Sequence, residues 1–330
     1  MKESTDPRVT LSFYQYTHLN NPAFFRDYLF YHWSQLDVMG RAYVAQEGIN
    51  AQISVPQAKF SQFEQELRSI TFLEKVRLNI AVEDDGRSFF KLKIKVKGKI
   101  VADGLADETF DVTNRGVHVD AEAFNQLAND PDTVIVDMRN HYESEVGHFE
   151  NAWLPDVDTF RESLPLVADT LKEHSNKPIV MYCTGGIRCE KASAYLKHQG
   201  YTNVYQLEGG IIKYAHEVRE KGLENKFKGK NFVFDERLGE RISEEILSKC
   251  HQCGTPCDTH TNCRNDACHL LFIQCKECAA RFEGCCTSAC QDFIHLPEEE
   301  RKQLRKQKET TRNVFRKGRA HHLKFSDGTS

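Results

Sequence analysis

The chain has 330 residues, 40% apolar and 28% charged, with 44 Lys and Arg against 48 Asp and Glu for a net charge of −4. That length holds two or three separately cored domains, and the composition excludes a fibrous, low-complexity or wholly disordered chain. Met1-Lys2-Glu3-Ser4-Thr5-Asp6-Pro7 lacks the apolar core of an export signal and no apolar run is long enough to cross a bilayer, so a cytoplasmic protein without membrane contact is expected.

Residues 9–15 alternate like a strand, and Asn21-Pro22 is a cap and first-turn pair for a helix with Phe25, Tyr28, Leu29 and His32 on one face. Val38–Val44 reads as a second strand, and Glu47-Gly48-Ile49-Asn50 as a turn into a third through Ile53 and Val55. Residues 57–70 place Phe60, Phe63, Leu67 and Ile70 at helical spacing, and 76–80 and 89–96 supply further strands. The order β-α-β-β-α-β predicts a ferredoxin-like or acylphosphatase-like α+β domain over residues 1–112. Lys91, Lys93, Lys95, Lys97 and Lys99 alternate with Leu92, Ile94 and Val96, so a strand there sets a row of ammoniums over an aliphatic row. The row suits RNA phosphates; the competing reading is an edge strand protected against aggregation.

Residues 120–129 predict a helix, and helices and strands then alternate to about residue 219. This is an α/β domain with a mostly parallel sheet, assigned to residues 113–223. Pro178-Ile179-Val180-Met181-Tyr182 is a buried strand, and Ala192, Tyr195 and Leu196 share one face of the helix that follows, which stops at Gly200. Between them lies Cys183-Thr184-Gly185-Gly186-Ile187-Arg188-Cys189-Glu190-Lys191. Gly185 and Gly186 let the loop curl back, and successive N–H groups at the helix start make a nest for an anion. A thiol there ionises readily, and Arg188 adds a permanent charge, so Cys183 and Arg188 are the candidate catalytic pair, with Thr184, Gly185, Gly186, Ile187 and Cys189 forming the loop. Ligands of such sheets bind beyond the carboxyl ends of strands, where Cys183 falls. Arg139, ending another strand, lines the same mouth as a candidate RNA contact or else makes a salt bridge at the edge of the core.

Beyond Gly222 the composition shifts. Residues 232–237 read as a strand and 240–247 as a helix leading into ten of the twelve cysteines. Without an export signal such clustering favours metal over disulfides. Cys250-x2-Cys253 and Cys275-x2-Cys278 are two knuckles of the kind that close a tetrahedral zinc site, and a second site draws on Cys257, Cys263, Cys268, Cys285, Cys286 and Cys290. Free thiols, a redox relay or an iron–sulfur cluster are the alternatives. This module covers residues 224–298. Residues 299–330 begin as a charged helix and become a basic tail, expected to be disordered; residues 301–330 carry a net +8, leaving −12 on the first 300.

The C-x4-R loop resembles that of rhodaneses, whose cysteine carries a persulfide sulfur; phosphatases use C-x5-R, and Cys189 stands where their arginine would be. Val134–Asn140, ending Asp-x-Arg, Glu143 with Gly147-His148-Phe149 and Ala152, and Val204–Gly210 resemble the flanking rhodanese segments. Taken with Glu47-Gly48-Ile49-Asn50, Phe234-Asp235-Glu236-Arg237 and the cysteine run, the whole chain resembles the rhodanese-type tRNA uridine hydroxylases. The resemblance implies oxygen-dependent conversion of the wobble uridine of tRNA to 5-hydroxyuridine, with Cys183 essential, tRNA as partner and molecular oxygen as co-substrate. The residues themselves show no flavin or nicotinamide fingerprint and no facial triad for iron. The competing readings are a persulfide-carrying sulfurtransferase and a zinc-stabilised RNA-binding adaptor. The sequence leaves the oligomeric state open.

Overall fold

The computed structural model describes residues 7–84, 86–105, 110–307 and 323. The N-terminal domain contains β1 (Arg8–Tyr16), α1 (Pro22–Gln35), β2 (Met39–Ala45), β3 (Gly48–Pro56), α2 (Phe60–Arg68), β4 (Asn79–Ile80) and β5 (Leu92–Val96). Asn21 caps α1 by accepting the Phe24 N–H at 3.0 Å, and Pro22 occupies the first turn, where a missing N–H costs nothing. The strands run in the order β4-β1-β3-β2-β5, antiparallel except β2 against β5. Phe13, Leu29, Trp33, Ile53 and Phe63 share the buried core of this domain, each contributing about 1.5–3 kcal/mol relative to exposure. Period-two alternation turns Ser12, Tyr14, Arg41, Tyr43, Asn50 and Gln52 to the opposite face. That face looks at the second domain across a cavity. The hairpin between β2 and β3 needs its glycine: at Gly48, φ +135°, a Cβ would lie 2.0 Å from the Gln15 carbonyl oxygen.

The second domain comprises β6 (Val117–Val119), α3 (Ala121–Asn129), β7 (Val134–Asp137), α4 (His141–Ser144), β8 (Gly147–Phe149), α5 (Phe160–Thr170), β9 (Ile179–Tyr182), α6 (Ile187–His198), β10 (Val204–Leu207) and α7 (Gly210–Lys221). Its parallel sheet has the order β6-β10-β9-β7. Core clusters on the two faces contain α5 with α6 and α3 with α7. Every residue of β9 is buried, and Cys183 follows directly at its carboxyl end.

The chain then returns to this domain through β11 (Phe227–Asn231), antiparallel to β8, and β12 (Glu240–Arg241). The strand expected at 232–237 is irregular chain, because the ladder with β8 is made one segment earlier. The helix expected at 240–247 is absent as well. Ile242 and Ile246 have helical spacing, but Ile242 packs into the second domain's core while Ile246 stays exposed, and the pairing of β12 with β11 prevails. β13 (His260–Asn262), β14 (Leu271–Ile273), α8 (Lys276–Arg281), α9 (Ser288–His295) and α10 (Glu298–Gln307) complete the description. The tail expected to be disordered lies outside the described residues, apart from Leu323, which is buried against cysteines 263, 268, 285 and 286. Among the described residues no helix is long and apolar enough to cross a membrane.

Candidate active site

The loop after β9 wraps around the Cys183 sulfur. The Gly186 N–H donates to Sγ at 3.2 Å, and Gly186 itself sits at φ +99°. Burial pushes the thiol up, but the Cys189 thiol, the Arg188 charge and the Cys189 and Arg188 N–H groups outweigh it and bring the pKa down to about 6. Cys189, equally buried, is pushed well above its ordinary value by burial and by the neighbouring Cys183. The two thiols therefore divide into one ionised and one protonated.

Arg188 donates two parallel hydrogen bonds to Glu143, both 2.7 Å, and a longer one of 3.4 Å to the Thr184 hydroxyl. Glu143 is fully buried, so the fork is a desolvated ion pair that fixes the guanidinium beside the loop. The Gly185 carbonyl accepts from Asn79 at 3.2 Å, and the Ile187 carbonyl from the Tyr16 hydroxyl at 3.4 Å. The first domain thus holds the loop from outside. Glu47 accepts from Lys191 of α6 at 2.6 Å and from the Ile100 N–H at 2.6 Å, so this part of the Glu-Gly-Ile-Asn turn clamps the domains together.

Cys183 is closed to solvent yet lines a cavity of about 430 Å³. Its walls come from the first domain (Ser12, Tyr14, Arg41, Tyr43, Asn50, Gln52, Asn79), the second (Asn140, Asp158, Phe160) and the segment leading into the cysteine-rich third domain, expected from residue 224 on (Phe234, Arg237, Glu240). Arg41 reaches the Phe234 carbonyl, and the Arg188 guanidinium lies 5.9 Å from the centre of the Phe234 ring. Arg41, Asn79, Asn140 and Glu240 line the cavity, and each has a buried polar side-chain atom (Nε, Oδ1, Oδ1 and Oε2) without a hydrogen-bond partner among the described residues.

The lysine row is only partly as expected. Lys91, Lys93, Lys95 and Lys97 are exposed, but Lys99 turns inward to Asp103 at 2.7 Å. Lys93 pairs with Arg41 and Lys95 with Tyr43 in the ladder of β5 with β2, which sets the row beside the cavity wall. The Lys95 ammonium presses the Lys93 pKa below its ordinary value. Arg139 is withdrawn from the candidate RNA surface. It is 1% exposed, binds Asp137 through Nε and Nη2, and donates to the Gly147 carbonyl at 2.6 Å.

In the third domain two sets of four thiols converge: Cys250, Cys253, Cys275 and Cys278, and Cys263, Cys268, Cys286 and Cys290, each set within 4.8 Å. Tetrahedral Zn–S bonds of about 2.3 Å require sulfurs about 3.8 Å apart. The Cys253–Cys275, Cys268–Cys286 and Cys286–Cys290 separations are 3.6, 3.8 and 3.7 Å. Both sets therefore fit a metal ion. Cys257 and Cys285 fall outside them.

Three family models match in tandem: the UPF0176 acylphosphatase-like domain over 8–100, the rhodanese-like domain over 120–217 and the rhodanese C-terminal region over 228–291. A tRNA uridine(34) hydroxylase of Yersinia pestis (strain Pestoides F) is 57% identical over 320 residues, covering 97% of this chain and 90% of the relative. The chain belongs to the tRNA uridine(34) hydroxylase family. A second member, from Photorhabdus laumondii, is 55% identical over 324 residues, covering 98% of this chain and 92% of its own. Among solved structures, a rhodanese-related protein from Thermoplasma volcanium aligns at 20% identity and TM-score 0.26, covering 33% of this chain and 95% of that one.

The sequence pointed to Cys183 and Arg188 but not to Tyr14 or Asn79, which the fold brings to the same loop. Alternating polar residues on β1 were the available signal: a strand with an apolar face toward its own domain and Ser12, Tyr14 and Tyr16 on the other has something to cover.

Proposed function

We propose that this protein hydroxylates C5 of the wobble uridine of tRNA, with Cys183 as covalent catalyst. The observation that carries the reading is a buried, ionised thiol at the floor of a cavity lined by polar side chains and bordered by lysines. The Cys183 sulfur adds to C6 of the uracil, and the electron pair of the C5–C6 bond moves to C5, which bonds an electrophilic oxygen atom. Loss of the C5 proton with expulsion of sulfur restores the double bond. Dioxygen supplies the atom; its second atom leaves as water, taking two protons and two electrons from a reductant of the thiol class. Arg188 and the loop amides hold the sulfur as an anion before addition and after expulsion.

Lys91, Lys93, Lys95 and Lys97 hold phosphates of the RNA strand whose base enters the cavity. Zinc fills both cysteine sets as a structural ion; thiolate ligands close every position, so it binds no substrate. The protein works in the cytoplasm, where tRNA and reducing thiols are available. Incubating undermodified tRNA with the protein, with and without air, tests the reading through mass analysis of nucleosides. 5-Hydroxyuridine formed only with air and only with Cys183 intact supports it. Thiol-dependent sulfur transfer without air or tRNA would replace it by the sulfurtransferase.

A further inference from the structure

Tyr14 projects from β1 of the first domain into the cavity wall. Its hydroxyl oxygen would lie 2.8 Å from a Cβ on Gly186, the residue whose N–H binds the Cys183 sulfur. That hydroxyl donates to Glu190 Oε1 at 2.9 Å. Glu190 is 4% exposed and lies in the first turn of α6. Its other partners are His118 Nε2 at 3.0 Å, Arg115 at 3.0 Å and the Gln206 amide at 3.2 Å. The His118 side chain is 30% exposed and so reaches solvent.

The polarity of this chain is set by its neighbours. The Glu190 carboxylate can only accept, so the group 3.2 Å from its Oε2 is the Gln206 NH2, which also lies 2.7 Å from His118 Nε2 and donates to it. His118 Nε2 then carries no proton of its own, and its 3.0 Å contact with Glu190 Oε1 becomes a hydrogen bond only once Glu190 has gained a proton to donate to it. At the other end the phenol proton points at Glu190, which leaves an oxygen lone pair for the cavity side. Once Glu190 has taken the Tyr14 proton it can hand one on to His118, whose side chain reaches solvent. Docking of the two domains is already served by Lys191 on Glu47 and Tyr16 on Ile187.

We propose that Tyr14, Glu190 and His118 form the proton outlet of the active site, with Tyr14 as the base that removes the C5 proton; this rests on the hydroxylase reading above. As the hydroxylated adduct collapses, the C5–H and C6–S bonds break. The C–H electron pair becomes the C5–C6 double bond, and the C–S pair leaves on Cys183 as thiolate. The Tyr14 oxygen accepts the C5 proton while its own proton passes to Glu190 and then to His118. No electron leaves the ring in this step, so it needs no oxidant beyond the one already consumed.

The test uses the full-length protein and tRNA carrying deuterium at C5 of the target uridine. Tyr14→Phe should lower kcat by about 10²- to 10⁴-fold and expose a C5 deuterium isotope effect. Its tRNA affinity and its rate of Cys183 alkylation should match wild type, which separates lost proton transfer from lost docking. His118→Ala should also turn over more slowly and recover when imidazole is added to the buffer, whereas Tyr14→Phe should not. A Tyr14→Phe protein with wild-type kcat overturns the proposal, as does a His118→Ala loss that imidazole leaves unchanged. Wild-type protein that forms no 5-hydroxyuridine at all would overturn the hydroxylase reading beneath it.

Discussion

Replacing the two partners of the ion pair behind Cys183 should move its ionisation in opposite directions. The fall from 9.0 to about 6 corresponds to about 4 kcal/mol in favour of the thiolate. Cys183 is then about nine-tenths ionised at neutral pH, where a thiol at the ordinary value is about one-hundredth ionised. Arg188→Met removes the neighbouring charge but keeps the backbone N–H. A charge at that range shifts a pKa by about 1–3, so the midpoint should rise to about 7–9. Glu143→Gln instead leaves the guanidinium without its counter-charge, and the midpoint should fall below about 6. Each variant strands one buried ion and should lose about 3–5 kcal/mol of stability, part of which the double variant recovers. The assay is the rate of iodoacetamide alkylation of the Cys183 peptide against pH, read by mass spectrometry. Shifts of the same sign, or a wild-type midpoint near 9, refute the electrostatic account. Because the folded-state value is depressed, the stability linked to this thiolate is complete above the ordinary thiol range and is lost as pH falls through about 6.

Lys93→Glu with Lys95→Glu should weaken tRNA binding and flatten the log K against log salt slope by about 0.7–0.9 per lost phosphate contact, whereas charge reversal at Lys59, away from the cavity wall, should leave both unchanged. Zinc content by atomic emission should be two ions per chain; Cys278→Ser and Cys268→Ser should each lower it, and Cys257→Ser and Cys285→Ser should not. Gly186→Ala forces a side chain into the left-handed region and against the Tyr14 hydroxyl. It should cost about 1–3 kcal/mol in thermal unfolding and slow Cys183 alkylation.

What could be read from the sequence was whatever lay contiguous in it. The Cys183 loop is a single run, so its glycines, helix start and arginine announce an anion-holding turn without knowledge of the rest of the chain. Arg188 was legible as a charge but its direction was not: Glu143, which holds it, lies 45 residues away and becomes its neighbour only through the sheet. The same limit applies to Arg139, since an Asp-x-Arg strand end can face a mouth or a core, and here burial against Asp137 decides. The second thiol set needed distances, because any four of six cysteines satisfy the spacing. The false helix at 240–247 came from spacing alone, where pairing with β11 outweighs local preference.

An ionised thiol sealed from water needs fixed charge and dipoles in place of hydration, and the three domains divide that work. The second domain supplies the sulfur, the loop amides and Arg188. The first presses Asn79 and Tyr16 on the loop carbonyls, so the loop cannot relax outward. The third lays Phe234 over the Arg188 guanidinium and connects to α4: its His251, buried and next to the thiol set of Cys250, binds Glu145 at 2.7 Å, two residues from Glu143. Enclosure by all three domains suits a reagent that must meet one base and exclude water and competing electrophiles while it does so. If the Cys250 set holds the proposed zinc, its removal should therefore reach the active site through α4, raising the alkylation midpoint of Cys183 toward the ordinary thiol value before any global unfolding is seen. An unchanged midpoint in the metal-free, still folded protein would mean that the third domain serves only as a lid.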